Sequence, residues 1–447
     1  MMEFLTHRMK SSNLLQAAGS NGALLLQEHV DAISTESSIT QSLTYVYGCS
    51  ARNEELLEQA REQMLEFLEE KGPGFKISDI CYTSTARRKV DNYRLSVTAA
   101  TTAELTANLR KARVAETSAT EAPVIFLFSG QGSQYLGMGR GLLQFLPTFK
   151  KCVLRCNKRL LEWGFPGCLD VIQIDDTAKF DIKNLENIQS LQCGVFVLEV
   201  ALARSLMALG LKPSLVAGHS LGELAALVIA GVLDLDSGLW LVAERARLIV
   251  TRCEMFASSM LAVNMPAVQV RQELLTMDQF ASLTVSCENS PGACVVGGSI
   301  ADVKELARYI SEETDQKAVL LDVPVGYHTA ALDPVLEPLA AAASTLTFSP
   351  PLIPVASNVL GRLIAVGEED VFDSNYAAAH CKGPVAFNSS IVDAFENIEN
   401  LGSGWWLEIG PHPMLLSMVS VTTLKTCEIL LTFSRLPNTA HHSASPL

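Results

Sequence analysis

Residues 215–227 read "LVAGHSLGELAAL": an apolar run enters a Gly-x-Ser-x-Gly pentapeptide, and an Ala/Leu-rich helical pattern leaves it. A serine on a sharp strand-to-helix turn can serve as an oxygen nucleophile, because the flanking glycines leave room for close approach. The next amide, Leu221 N–H, opens a helix and faces a developing oxyanion from the positive end of that helix. The bland alternative is a helix-capping serine on a glycine-rich turn. If Ser220 is a nucleophile it needs a base, and the chain has eight histidines. His7, His29, His441 and His442 fall in weakly patterned ends, and His412 sits in a "GPHP" turn. His219 adjoins the serine, but neighbouring side chains on such a turn point apart. Between His328, in "VPVGYHTAALDP", and His380, position favours His328. It leaves the last strand of a subdomain at a joint where sites form. A core histidine bonded to a backbone carbonyl is the alternative.

Two further features accompany the serine. In "GLWLVAERARLIV" Arg245 falls on the apolar stripe of Leu241, Val242, Leu248 and Ile249. A buried arginine must meet an anion. That anion is either an internal carboxylate, with Glu199 and Glu223 as candidates, or a substrate carboxylate gripped bidentately by the guanidinium. The second case selects a dicarboxylic half-thioester over a neutral acyl group. "SGQGSQ" (129–134) follows the first strand of the large domain and lacks the Lys-Ser/Thr pair of a phosphate loop. The Gln131 amide is better used as a second oxyanion donor, with a plain glycine-rich turn as the alternative.

The elements that must position these groups follow from pattern. "VIFLF" (124–128) and "SLVAG" (214–218) are continuous apolar runs that suit strands buried on both faces of a parallel sheet, with helical patterns between them. Residues 258–323 read as β-α-β-β-α-β, the ferredoxin-like split unit, inserted into this α/β core. Its first helix is expected from Pro266 through Met277, its strands flank an "NSPG" turn, and Ser299 with Asp302 form a capping box for its second helix. Upstream, residues 44–115 form a small α/β domain. There Asn53 caps a helix carrying Leu57, Ala60, Met64 and Leu68, and "GPG" stops it. "ETSATEAP" (116–123) is a linker. Residues 1–43 read as a flexible segment with one isolated strand in "GALLLQE", and residues 421–447 as a return segment and disordered tail.

Composition bounds the function. The chain of 447 residues is 48% hydrophobic and 18% charged, enough for a large core. A net charge of −14 argues against a nucleic-acid partner. Eleven scattered cysteines without a CxxC pair fit a reducing, cytoplasmic location and no zinc site. The apolar stretch at 224–233 is about half of the ~20 residues that span a bilayer, so no membrane partner is expected.

"FLFSGQGSQYLGMG", "GHSLGE", "ERARL", "ENSPG", "VPVGYH" and "EIGPHP" together resemble the malonyl-CoA:acyl carrier protein acyltransferases. The likeness is strongest to the acyltransferase domains of fungal iterative, non-reducing polyketide synthases, and it places an acyltransferase domain at 122–420. "ICYTSTARRKVDNYRLSV" resembles their ketosynthase–acyltransferase linker, and "AAGSNGALLLQE" a ketosynthase tail. The chain is therefore expected to be an excised synthase segment, either a free-standing enzyme acting in trans or part of a larger synthase. The resemblance implies Ser220 as the acylated nucleophile, His328 as the base and Arg245 as the partner of a malonyl carboxylate. Gln131 and Leu221 supply the oxyanion amides, and Gln192, Asn289 and His219 line the substrate pocket. A backbone carbonyl in "GPVAF" (383–387) orients the histidine. The resemblance implies no bound cofactor, a CoA thioester as substrate and phosphopantetheine on the carrier partner, with ketosynthase or other synthase modules as further partners. Leu224, Val325, Gly326 and "NYAAAHCKGPVAF" depart from the family's usual residues, the second and third at a place tied to acyl choice. The rival readings are a serine thioesterase or other hydrolase, and a catalytically weak scaffold fragment of a synthase.

Overall fold

A computed structural model describes residues 44–116, 122–132, 134–174 and 184–423. It also gives the backbone of short strands at Met9–Ser11, Leu15–Ala17, Ser20–Gly22, Leu25–Gln27 and Ile429–Leu430. Most of the expected flexible ends and the middle of the expected linker therefore lie outside the described residues. The strand expected in "GALLLQE" is Leu25–Gln27, and it is not isolated: it pairs antiparallel with Met9–Ser11. The chain divides into two compact units, residues 1–119 and 120–447.

In the first unit, Tyr45–Ala51 and Tyr93–Ala99 pair antiparallel, and Ala115–Glu116 adds to the edge of the second strand. Helix Glu54–Glu70 starts where Asn53 Oδ1 accepts the Leu56 N–H at 2.8 Å, which satisfies a donor that helical bonding leaves free. It buries Leu57 and Leu68 and stops at the Gly72–Gly74 turn. A further helix, Ile77–Ala86, which the sequence pattern did not announce, and Thr102–Lys111 complete the layer. Leu57, Leu95, Leu105 and Leu109 form the centre of its core.

The second unit is built on a six-stranded sheet in the order 362–364, 355–357, 213–218, 124–128, 405–409, 429–430. All neighbours are parallel except Arg362–Ile364. Val124–Phe128 is central, paired with Pro213–Gly218 on one side and Trp405–Ile409 on the other. That position explains its unbroken apolar run: Ile125, Phe126, Leu127 and Phe128 are all fully buried. Helix Leu185–Ala208, longer than the apolar stretch at 224–233, is long and apolar enough to cross a bilayer by length and composition, but it is packed inside this core.

The insert is a four-stranded antiparallel sheet in the order 284–290, 293–299, 258–263, 318–321, with its own core of Leu261, Val296, Val303, Leu306 and Ile310. This is the ferredoxin-like order. Three local expectations are revised. The first helix does not run to Met277: Ala267–Gln269 passes into a π turn at Val270–Leu274, and a 3-10 turn follows at Asp278–Phe280. Val270 and Leu274 on the π turn and Phe280 on the 3-10 turn are buried in the same core. Only Pro291 and Gly292 lie between the strands, so Asn289 sits inside Thr284–Ser290. The capping box is half formed: Ser299 accepts the Asp302 N–H at 3.1 Å, while the Asp302 carboxylate turns to Ser282 Oγ at 2.8 Å.

Helix Leu235–Arg252 reaches its neighbours through Gly238, where an added Cβ would lie 2.4 Å from Val228 Cγ2 and 3.2 Å from Phe196 Cζ. Overpacking of this kind costs typically about 1–3 kcal/mol. Gly238→Ala is therefore expected to lower the thermal unfolding midpoint clearly, and an unchanged midpoint would show that the three helices separate without cost.

Candidate active site

Pro213–Gly218 ends and Leu221–Ile229 begins within two residues, and Ser220 is held at φ 51°, ψ −118° between them. A positive φ on a non-glycine residue is costly and persists only where the surroundings enforce it. Here three backbones stack without side chains between them. An added Cβ on Gly218 would lie 2.3 Å from the Gly222 carbonyl carbon, and on Gly222, 2.2 Å from the Phe128 carbonyl oxygen. On Gly130 it would lie 2.2 Å from the His219 carbonyl oxygen. The pentapeptide glycines are thus required by contact, and Gly130 is pressed against the turn. Among the described residues neither the Leu221 nor the Gln131 amide has a protein acceptor.

Ser220 Oγ donates to His328 Nε2 at 2.6 Å, and His328 Nδ1–H donates to the Gly383 carbonyl at 2.8 Å. The carbonyl fixes the tautomer with the lone pair on Nε2, facing the hydroxyl. His328 itself has φ 59°. It is buried, and burial, then the neighbouring His380 and the Arg245 charge, push its pKa well below the ordinary imidazole value, while the Gly383 carbonyl opposes the shift. The ring is therefore a neutral proton acceptor at neutral pH. His380, the rival for the base, bonds through Nε2 to the Ser220 carbonyl at 2.9 Å and not to the hydroxyl.

Arg245 is 1% exposed. Its Nη1 donates to Gln192 Oε1 at 2.8 Å, and its carbon lies 5.9 Å from the Tyr327 ring centroid. Among the described residues Arg245 Nε, Arg245 Nη2 and Gln192 Nε2 have no partner. Neither candidate internal carboxylate reaches it. Glu199 accepts from Gly130 N–H at 2.7 Å and Ser129 Oγ at 3.2 Å, and Glu223 accepts from the Asn358 N–H at 2.8 Å and from the Tyr376 hydroxyl. The cation is close enough to depress both His328 and His380. Ser220, His328 and Arg245 thus share one site, although far apart in sequence. His219 Nε2–H donates to Asn289 Oδ1 at 2.8 Å and its ring meets Phe387. His219 and Asn289 thereby tie the sheet core to the insert. The insert is also joined at the segment beside Gly383, where Glu288 N–H donates to the Val385 carbonyl at 2.9 Å and Val385 N–H to the Ser286 carbonyl at 2.9 Å.

Residues 125–438 match the acyl transferase domain family, and residues 46–109 match a family described as CurL-like, polyketide synthase C-terminal. The chain belongs to the acyl transferase domain family. It is 38% identical over 427 residues to the orsellinic acid synthase of Armillaria mellea, covering 95% of this chain and 19% of that protein. It is 38% identical over 411 residues to the non-reducing polyketide synthase ZEA1 of Gibberella zeae, covering 92% and 19%. The acyltransferase chain thus spans about a fifth of the length of the curated relatives it matches. Among solved structures it is similar to the acyltransferase domain of SpnD in complex with 2-(pent-4-yn-1-yl)malonyl (TM-score 0.75, 29% identity, 89% of this chain and 92% of that one). It is also similar to the malonyl CoA-acyl carrier protein transacylase of Clostridium perfringens (TM-score 0.60, 25% identity, 70% and 93%).

Several groups that hold this acyltransferase site together escaped the sequence reading. Asn358 accepts the Ser220 N–H at 3.3 Å and donates to the Gly218 carbonyl at 2.6 Å, bracing both sides of the turn. Glu223 fixes Asn358 and Tyr376, and Tyr376 meets Ser357 Oγ at 2.6 Å. Tyr327 accepts from Gln131 Nε2 at 3.3 Å. The visible signal was a lone carboxylate in each of two apolar helices, Glu199 in "VFVLEVALA" and Glu223 in "LGELAALVIA". Burial raises both, Glu199 to about 8 and Glu223 to about 7.

A folded-state pKa above the unfolded value means stability that is complete below the unfolded carboxylate range and lost as pH rises through the folded pKa. Glu199→Gln keeps an oxygen for the Gly130 amide without the titration. The difference in unfolding midpoint, variant minus parent, should therefore rise between pH 5 and pH 8. A difference independent of pH would place the Glu199 pKa at its ordinary value.

Proposed function

We propose that this acyltransferase carries a malonyl group, or a related dicarboxylic half-thioester, from CoA to the phosphopantetheine thiol of an acyl carrier protein in polyketide assembly. Ser220, deprotonated by His328, attacks the thioester carbonyl carbon. The tetrahedral oxyanion rests on the Leu221 and Gln131 amides, each donor contributing about 3–4 kcal/mol in comparable acyl-transfer sites. The CoA thiolate leaves and takes the proton from His328. The carrier thiol then gives its proton to His328 and attacks the seryl ester, and as the seryl C–O bond breaks His328 returns that proton to the Ser220 oxygen, restoring the free enzyme. The Gly383 carbonyl holds the ring, so a third acidic residue is not required. Gln192 orients Arg245, and His219 with Asn289 forms the wall on the side of the insert.

The buried Arg245 guanidinium with unpartnered donors carries this reading. A buried cation without a counter-charge is strongly unfavourable, and a bidentate carboxylate removes that cost. A hydrolase of neutral esters has no use for such a charge. The names of the similar proteins, a malonyl transacylase and a domain holding a malonyl derivative, support the same substrate class.

Intact-mass measurement after mixing with malonyl-CoA tests the reading. A malonyl adduct should form, disappear in Ser220→Ala, and be discharged by a phosphopantetheinylated carrier protein faster than by water. Rapid loss to water alone supports the hydrolase reading, and no adduct on folded protein supports the scaffold reading. Arg245→Gln should slow malonyl loading by about 100-fold or more while leaving acetyl loading within a few-fold, as expected for loss of a buried charge pair. Equal losses for both acyl groups would remove Arg245 from recognition.

The pH profile of acylation follows from His328. Its pKa is lowered, so the neutral base persists as pH falls, and the acid limb of the rate should lie below pH 6.5. A limb at or above 6.5, measured by quenched acylation, would contradict the buried, charge-depressed ring.

A further inference from the structure

Resting on that reading of Ser220, we propose that His380 is a positioning residue: its Nε2–H clamps the Ser220 carbonyl and so aims the Leu221 amide at the developing oxyanion. The peptide between Ser220 and Leu221 is trans and planar, so its C=O and N–H point in opposite directions. Fixing one fixes the other. The Ser220 carbonyl takes two donors, the Glu223 N–H at 2.9 Å from its own helix and His380 Nε2 at 2.9 Å from helix Ser374–Lys382. The first bond comes with any helix start. The second is supplied across the fold, at a peptide whose φ of 51° makes it costly to hold.

Three observations make His380 a donor here and not a second base. Its Nε2 faces a carbonyl, which accepts only. Its Nδ1 is buried and without a partner among the described residues, so the proton sits on Nε2. Burial and the Arg245 charge push its pKa down to about 3, so the ring stays neutral across the working range. The ring also stands edge-on to His328, with centroids 6.5 Å apart and planes at 85°. Just beyond the same helix, the Gly383 carbonyl holds His328 Nδ1. One helix end therefore sets the direction of the oxyanion donor and the tautomer of the base.

The test compares His380→Phe, which keeps a ring of similar size without a donor, with His380→Gln, whose amide N–H has a similar reach. Single-turnover acylation by malonyl-CoA is measured across substrate concentration on the full chain, with thermal unfolding confirming that each variant is folded. The Phe variant should acylate at saturation about 10- to 100-fold more slowly, with half-saturation within about twofold. The Gln variant should recover to within about fivefold of the parent. A folded Phe variant that acylates at the parental rate, or loses only half-saturation, overturns the inference, as does a Gln variant no better than Phe. Nitrogen-15 NMR of the histidine rings in the parent protein, assigned by loss of one signal in His380→Gln, gives an arm that does not depend on the Phe variant folding. A proton on Nε2 supports the clamp, and a proton on Nδ1 overturns it. If the parent protein forms no Ser220 adduct, the functional reading falls and this inference with it. A normal parent with an unaffected Phe variant removes this inference alone.

Discussion

Close contact between bare backbones at the Ser220 turn is the constraint on which the rest depends. The end of the central strand, the end of its neighbour and the first turn of the next helix approach so closely that Gly130, Gly218 and Gly222 have no room for a Cβ. That contact accompanies the φ of 51° at Ser220 and sets Gly130 against the His219 carbonyl and the Gly222 amide. The energy of one strained residue, about 1–3 kcal/mol, is small against the packing that imposes it. The bonds from Asn358 to both sides of the turn, and from Glu199 to Gly130, hold the two strand ends in register. A turn of this kind needs no ligand to be organised. It is set by the sheet.

Charge is distributed around the turn with one sign left uncompensated. Glu199 and Glu223 are buried carboxyls whose pKa values are raised, and they serve as acceptors for backbone and hydroxyl donors instead of as counterions. His219, His328 and His380 are all pushed down by burial and remain neutral. Arg245 is a buried cation with no carboxylate against it, and its Nε and Nη2 are without a partner among the described residues. An internal carboxylate would have stabilised the empty protein more and would have closed the site to an anionic ligand.

How much of this was legible depended on whether a residue's role follows from its local pattern. The parallel core followed from the apolar runs at 124–128 and 214–218, because a strand covered on both faces cannot carry alternating polar residues. Ser220 followed from its glycines, and Arg245 from a charge on an apolar stripe, both local facts. His328 over His380 rested on chain position, since two histidines in a buried site look alike in one dimension. The structure separates them by which oxygen of Ser220 each ring faces. Asn358 and Tyr376 were not legible, because an asparagine after a short strand and a tyrosine on a helix have ordinary spacing, and their partners lie more than a hundred positions away. The π turn at Val270–Leu274 was hidden for a related reason: side chains that it brings into the insert's core fit a regular helix equally well on paper.

The uncompensated guanidinium also bears on the timing of the chemistry. Among the causes that hold His328 down, burial is fixed by the fold, whereas the Arg245 charge is open to neutralisation. In the proposed reaction a carboxylate bound to Arg245 would offset that charge at the ring and strengthen His328 as a proton acceptor. The same event satisfies Arg245 Nε and Nη2, so binding and activation draw on one interaction. A neutral acyl group leaves the cation unpaired and the base weak. On the proposed reading, selectivity for an acidic substrate is expressed in the acylation step as well as in affinity, because Arg245 and the Ser220–His328 pair are buried in one site.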